Sequence, residues 1–182
     1  MGVNQLKKTL INFGLILTAF FIFFLKSNFF NWFNIAGVLP SLFAIYILFI
    51  GLFSNKTIGT IYGIVVGLIL DALVSSKIGI TAVSLGIIGF LTSIFDKNFS
   101  KDSRITIMFM VLGSTIVYEL INWGLSYIFI STNVEIINFI KILGIEVVFN
   151  LIITIIIYPL IQKCGYYIEN EFKGNKLLTR YF

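Results

Sequence analysis

From Ser27 to Asn55 no residue carries a charge, and the same holds from Thr9 to Leu25, from Ile78 to Phe95 and from Val147 to Gln162. Such runs reach the roughly 17–25 residues that cross a hydrocarbon core, and the charges gather in short segments between them. A chain patterned this way has lipid rather than water as its solvent. In lipid every backbone amide and carbonyl must be satisfied within the protein, which leaves helices or closed barrels. These runs are too long and too continuously apolar for the alternating strands of a barrel. The expected fold is therefore all-α: a polytopic integral membrane protein with six transmembrane helices. The spans fall near 9–25, 35–53, 58–75, 79–95, 105–130 and 142–161, in one domain, followed by an interfacial tail over 162–182. Composition agrees, since only 12% of residues are charged, about half the share of a typical soluble domain.

The basic residues orient the chain. Ten of them (Lys7, Lys8, Lys56, Lys97, Lys101, Arg104, Lys163, Lys173, Lys176 and Arg180) fall on one side of the expected spans, and three (Lys26, Lys77 and Lys141) on the other. The richer side is the cytoplasmic one, so both termini are expected there. The N-terminus has the cationic start and apolar run of a signal peptide without a small-x-small cleavage site, and is read as a retained first helix. Trp32 and the phenylalanines of NFFNWF suit an aromatic belt at the outer surface. The tail QKCGYYIENEFKGNKLLTRYF mixes aromatic, leucine and cationic residues, which suits contact with anionic lipids.

Several function classes drop out. The net charge of +5 does not gather into one exposed basic face, so nucleic acid is not an expected partner. Histidine is absent and Cys164 is the single cysteine. That removes the usual general base, the serine–histidine and cysteine–histidine pairs, and any multi-cysteine metal site. No catalytic residue, metal site or cofactor is expected.

Within GTIYGIVVGLILDALVSSKIG, Gly59, Gly63 and Gly67 recur every four residues, and the next step of that ladder is Asp71. Residues four apart on a helix form one slowly drifting stripe. A stripe without side chains is a groove into which another helix backbone can pack, here for helix packing or for a partner. The fourth span offers small positions at Gly79, Ala82, Gly86 and Gly89, so the two spans are expected to form a tight hairpin. Asp71 lies at the carboxyl end of its span, where the helix dipole disfavours an anion. It needs a partner, and both Lys77 and the free amides opening the next span are within reach, which makes a polar lock on the hairpin.

Two further acids lie inside spans, each with an amide side chain one turn on: Glu119 with Asn122, and Glu146 with Asn150. They form a candidate outer polar cluster, read either as groups joining helices or as a ligand pocket or proton path. Pro40 and Pro159 are expected to start or kink their helices, with Ile35–Leu39 as a less regular lead-in to the second span.

The segments LPSLFAIYILFIGLF and GTIYGIVVGLILDALVSSKIGITAVSLGIIGFL resemble the bacterial rod shape-determining MreD family. In that family a Pro-polar-Leu opens a span, a glycine-laddered span ends in Asp, and a short Gly/Ser loop leads to a second glycine. Here these are Pro40, Leu42, Gly63, Gly67, Asp71 and Gly79. One departure is Ser41, where the family usually has Asp or Asn. The resemblance implies a scaffold of the cell-elongation machinery in the bacterial cytoplasmic membrane. Its expected partner is the single-span protein MreC, with MreB filaments and the RodA and transpeptidase synthases of peptidoglycan reached indirectly. It also implies a fold similar to the substrate-binding component of energy-coupling-factor transporters.

Three functions compete. The first is the non-enzymatic scaffold. The second is a small-molecule carrier of the vitamin-transporter type, with a solute held among Asp71, Glu119, Asn122, Trp123 and Glu146. The third is an intramembrane enzyme, for which the sequence supplies no serine elbow, HExxH motif or phosphate loop.

Overall fold

A computed structural model describes residues 3–74, 79–98, 101, 103–130 and 135–172. It contains six helices: α1 (Val3–Trp32), α2 (Leu42–Phe53), α3 (Lys56–Val74), α4 (Ile80–Asn98), α5 (Arg104–Ile130) and α6 (Ile136–Phe172). Each expected span has a helix, but their lengths differ from expectation. Four, α1, α3, α5 and α6, are long and apolar enough to cross a membrane. α2 is helical over 12 residues, about 18 Å at 1.5 Å per residue against a core of about 30 Å. The expected second span, 35–53, is thus helical only in its latter part. α4 is as long as α3, but its apolar stretch, Ile80–Asp96, is shorter.

The reason α2 reads as a span lies in its burial. A helix that is apolar on every side is one that other helices enclose. In α2 every residue except Tyr46 is buried, and it meets all five other helices. Ile47, Leu48 and Leu52 are fully enclosed with Leu85 and Ile88 of α4 and Ile107, Met110 and Val111 of α5. α1, in contrast, lies on the outside. It buries Ile11 and Leu15, while Leu10, Phe13, Ile16, Phe20 and Phe24 are all more than half exposed, as suits a face in contact with lipid.

Pro40 lies two residues before α2, and the lead-in expected there is irregular. Ile35 and Val38 exchange backbone hydrogen bonds at 2.9 and 3.3 Å around Ala36 and Gly37, both with positive φ. At the far end, α6 runs unbroken through Pro159. The proline ring lacks an N–H, so the Ile155 carbonyl has no helical donor four residues on; a cavity of about 350 Å³ lies there between Arg104, Thr154, Tyr158 and Pro159.

Residues 162–172, expected to begin an interfacial tail, instead continue α6 and pack on the bundle. Gly165 sits against Phe53 so closely that a Cβ there would lie 2.5 Å from the ring, and Tyr166 meets the same ring edge-on at 5.6 Å. The Lys101 ammonium donates to Glu169 at 2.5 Å, to Asp96 at 3.3 Å and to the Leu52 carbonyl at 3.4 Å. Lys7 pairs with Glu171 at 3.3 Å. These contacts gather the start of α1 and the ends of α2, α4 and α6 at one end of the bundle. The remainder of the expected tail, 173–182, lies outside the described residues.

Candidate functional site

The hairpin of α3 and α4 is built on absent side chains. A Cβ at Gly63 would fall on the Leu85 carbonyl oxygen, one at Gly67 on the Ala82 Cα, and one at Gly89 on the Gly59 carbonyl. In each case the obstacle is backbone, which cannot swing aside as a side chain can. Gly59 sits where three helices meet: a Cβ there would lie 2.7 Å from the Cα of Gly51 in α2 and 3.3 Å from the Gly89 carbonyl oxygen. Gly86 faces a side chain instead, the Ile64 Cγ1 at 2.8 Å. α4 therefore fills the groove that the glycine stripe makes, and the part of the expectation that offered this groove to a partner is corrected: no second protein has room there. Gly79 does not belong to the stripe. A Cβ on it would meet nothing within 4 Å, and its φ of +106° marks it as the turn residue entering α4.

Asp71, near the end of α3, reaches that turn. The side chain is fully buried and accepts three backbone amides: Gly79 at 2.8 Å and Ala82 at 3.2 Å on Oδ2, and Thr81 at 3.3 Å on Oδ1. The first amides of a helix have no partners within it. Asp71 supplies them from the preceding helix, as an N-cap residue ordinarily does from its own. The carboxylate at the unfavourable end of the α3 dipole also lies at the favourable end of the α4 dipole. Lys77, the other expected partner, lies outside the described residues.

A second polar joint crosses four helices at the end of the bundle away from the termini. Asn150 of α6 is fully buried. Its Oδ1 accepts the Ser41 amide at 3.0 Å, and its Nδ2 donates to the hydroxyls of Ser41 at 2.6 Å and Thr115 at 2.9 Å. Ser41 is the residue just before α2, so one amide side chain satisfies the entry of the central helix and ties it to α5 and α6. Glu146, one turn away and 4% exposed, lies beside Ser41 and Glu119 of α5, and Lys26 of α1 is close enough to act electrostatically on both carboxyls. Lys26 also lies over the Phe43 ring at 6.0 Å.

The structure thus brings together Glu119, Glu146 and Asn150, and leaves Asn122 apart, its side chain donating to the Tyr118 carbonyl of its own helix at 3.1 Å. Trp123 stacks against Tyr127 and meets the Phe139 ring at a tilt, with its indole nitrogen buried and without a hydrogen-bond partner. Ser41, Thr115 and Lys26 belong to the joint and were not singled out for it. Their signal was faint: hydroxyls are common in membrane helices, and Lys26 reads as an ordinary flanking charge.

At both sites one side chain, Asp71 or Asn150, spends its polar atoms on joining helices. Their chemistry is that of fasteners: they hold the second, fifth and sixth helices at one point and the third and fourth at another. Comparison with known proteins adds one finding. The family model MreD, described as rod shape-determining protein MreD, matches residues 7–166. Neither a curated protein nor a solved structure matches.

Proposed function

The chain belongs to the MreD family, and with it to rod shape determination; on that premise we propose that it is a non-enzymatic membrane scaffold of the cell-elongation machinery that binds a single-span partner of the MreC type. Through that partner it engages MreB filaments and the wall synthases. In this reading all six helices are embedded in the bacterial cytoplasmic membrane with both termini in the cytoplasm, and the bundle is of the kind found in substrate-binding components of energy-coupling-factor transporters.

The observation that carries the proposal is the α3–α4 hairpin. Its inner face is fixed by backbone-to-backbone glycine packing and by Asp71, and its outer face is a continuous ridge: Ile61, Val65, Leu68, Ile69 and Leu73 are all more than two-fifths exposed. These positions recur at helical spacing on one side of α3. In lipid, helices associate through packing of preformed surfaces rather than through a hydrophobic drive. A ridge whose backing cannot shift loses little order on binding, and preorganisation of that kind favours association.

The test is site-specific photo-crosslinking from Val65 and Ile69 in rod-shaped cells, with mass identification of the adducts. A single-span protein of the wall machinery is the expected catch. Capture of a transporter energising subunit would favour the carrier instead, and capture of lipid alone would remove this face as the docking surface.

A further inference from the structure

α1 is fastened to α6 at its two ends and stands away from it between them. At one end Lys7 pairs with Glu171 at 3.3 Å and Lys8 lies 6.0 Å from the Phe172 ring. At the other, Phe30 meets Phe149 edge-on at 5.9 Å. Between these clamps lies a cleft with α2 as its floor, in two connected chambers of about 590 and 250 Å³ that share Thr18, Tyr46, Phe49, Leu160 and Ile161. The larger chamber lies toward the termini, reaching Leu10 and Gly14 on α1 and Cys164 and Ile168 on α6. Its walls are almost entirely apolar, and the polar contact that spans it is internal, with the Tyr46 hydroxyl donating to the Leu15 carbonyl at 2.5 Å.

We propose that the larger chamber holds one acyl chain of a phospholipid from the leaflet on the side of the termini, with the lipid phosphate at Lys163. Size separates this occupant from a partner helix. From Leu10 to Thr18 the chamber extends about 12 Å along α1, close to half of a hydrocarbon core of about 30 Å. A helix 10–12 Å across needs about 1,000 Å³ over that length, which exceeds the 590 Å³ present. An apolar cavity of 150 Å³ holds a benzene ring, so this one takes on the order of twenty carbons, the size of one acyl chain. Water has few polar partners along these walls, and an empty gap would forfeit the dispersion contacts of its lining. Charge fits as well: Lys163 is an exposed residue of the chamber wall, and its long stem lets the ammonium reach toward the headgroup level.

Gly14 provides the test. A Cβ there would meet nothing within 4 Å, so a large side chain at this position fills the cleft without displacing its walls. The full chain is placed in nanodiscs containing a phospholipid with a mid-chain diazirine, carrying either a glycerol or a choline headgroup, irradiated, and the adducts mapped by peptide mass spectrometry. Adducts are expected to concentrate on Gly14, Tyr46 and Ile161 over the outward Phe13 and Phe20. They are expected to disappear from the cleft in Gly14→Phe and to persist there in Phe13→Ala, and Lys163→Ala should abolish any preference for the glycerol headgroup. The wild-type distribution stands as a test even where Gly14→Phe fails to yield a monodisperse protein. Adducts spread evenly between cleft and outer face, or unchanged by a folded Gly14→Phe, would overturn the proposal. So would a protein crosslinked at Cys164 in cells, which would place a partner in the cleft. The scaffold reading does not depend on the result, since its surface lies on α3.

Discussion

The carboxylate of Asp71 accepts the amide of Gly79 at 2.8 Å across the turn joining α3 to α4. With Thr81 and Ala82 on the same two oxygens, the acid closes the hairpin at the point where the glycine packing ends. Replacing an N-capping group by Ala costs about 0.5–2 kcal/mol, and each buried donor left unmatched adds about 1–3 kcal/mol. Asp71→Ala should therefore melt well below the wild type in detergent, with Asp71→Asn between them because an amide oxygen still caps. Equal melting temperatures for Asp71→Ala and wild type would show that water or another group satisfies these amides.

Glycines in this chain divide by what surrounds them. At Gly63 and Gly67 an added Cβ would strike the backbone of α4, whereas at Gly14 it would enter open space. Gly63→Ala and Gly67→Ala should each destabilise by about 1–3 kcal/mol, the usual cost of overpacking. Gly14→Ala should be neutral or stabilising by up to about 1 kcal/mol, from helix propensity. Ranking the three by thermal aggregation in one detergent checks the sign at each site, and a Gly67→Ala variant as stable as Gly14→Ala would show that the two helices can move apart.

The hairpin was legible in sequence because its determinants are local: a four-residue glycine period and an acid on the same stripe fix a face and a register. The Asn150 joint was legible only in part. Glu119, Glu146 and Asn150 stand out as polar residues in apolar spans, but what gathers them is Ser41, more than a hundred positions from Asn150, and no spacing encodes that contact. The length of α2 was hidden for the opposite reason, since a core helix enclosed by five others and a lipid-facing span are equally apolar. The continuation of α6 past Gln162 was masked by its composition. Its charged residues read as a surface tail, while the structure uses Glu169 and Glu171 to bind Lys101 and Lys7.

Asn150 both accepts and donates at the entry of α2, and the two roles can be separated. Asn150→Ala strands the Ser41 amide in a buried site, at a cost of about 1–3 kcal/mol. Asn150→Asp keeps an acceptor for that amide but loses the donors to Ser41 and Thr115, and it sets a second carboxyl one turn from Glu146. It should destabilise at least as much as Asn150→Ala, while Ser41→Ala, which removes only a hydroxyl, should be milder than either. Thermal melts of the three variants in one detergent give the order. A well-folded Asn150→Asp would mean that acceptance by Oδ1 alone maintains the joint.

Cys164 reports which way the bundle faces. It is exposed and lies on α6 within two turns of Glu169 and Glu171, whose lysine partners define the end of the bundle that holds the start of α1. In the proposed topology, which rests on the ten-to-three distribution of basic residues, that end faces the cytoplasm. An impermeant maleimide added to intact cells should leave Cys164 unlabelled, and the same reagent should label it after detergent solubilisation, which shows that the thiol itself is reactive. Labelling in intact cells would invert the topology, moving the Asp71 turn and the Asn150 joint to the cytoplasmic half and the α6 extension to the outside.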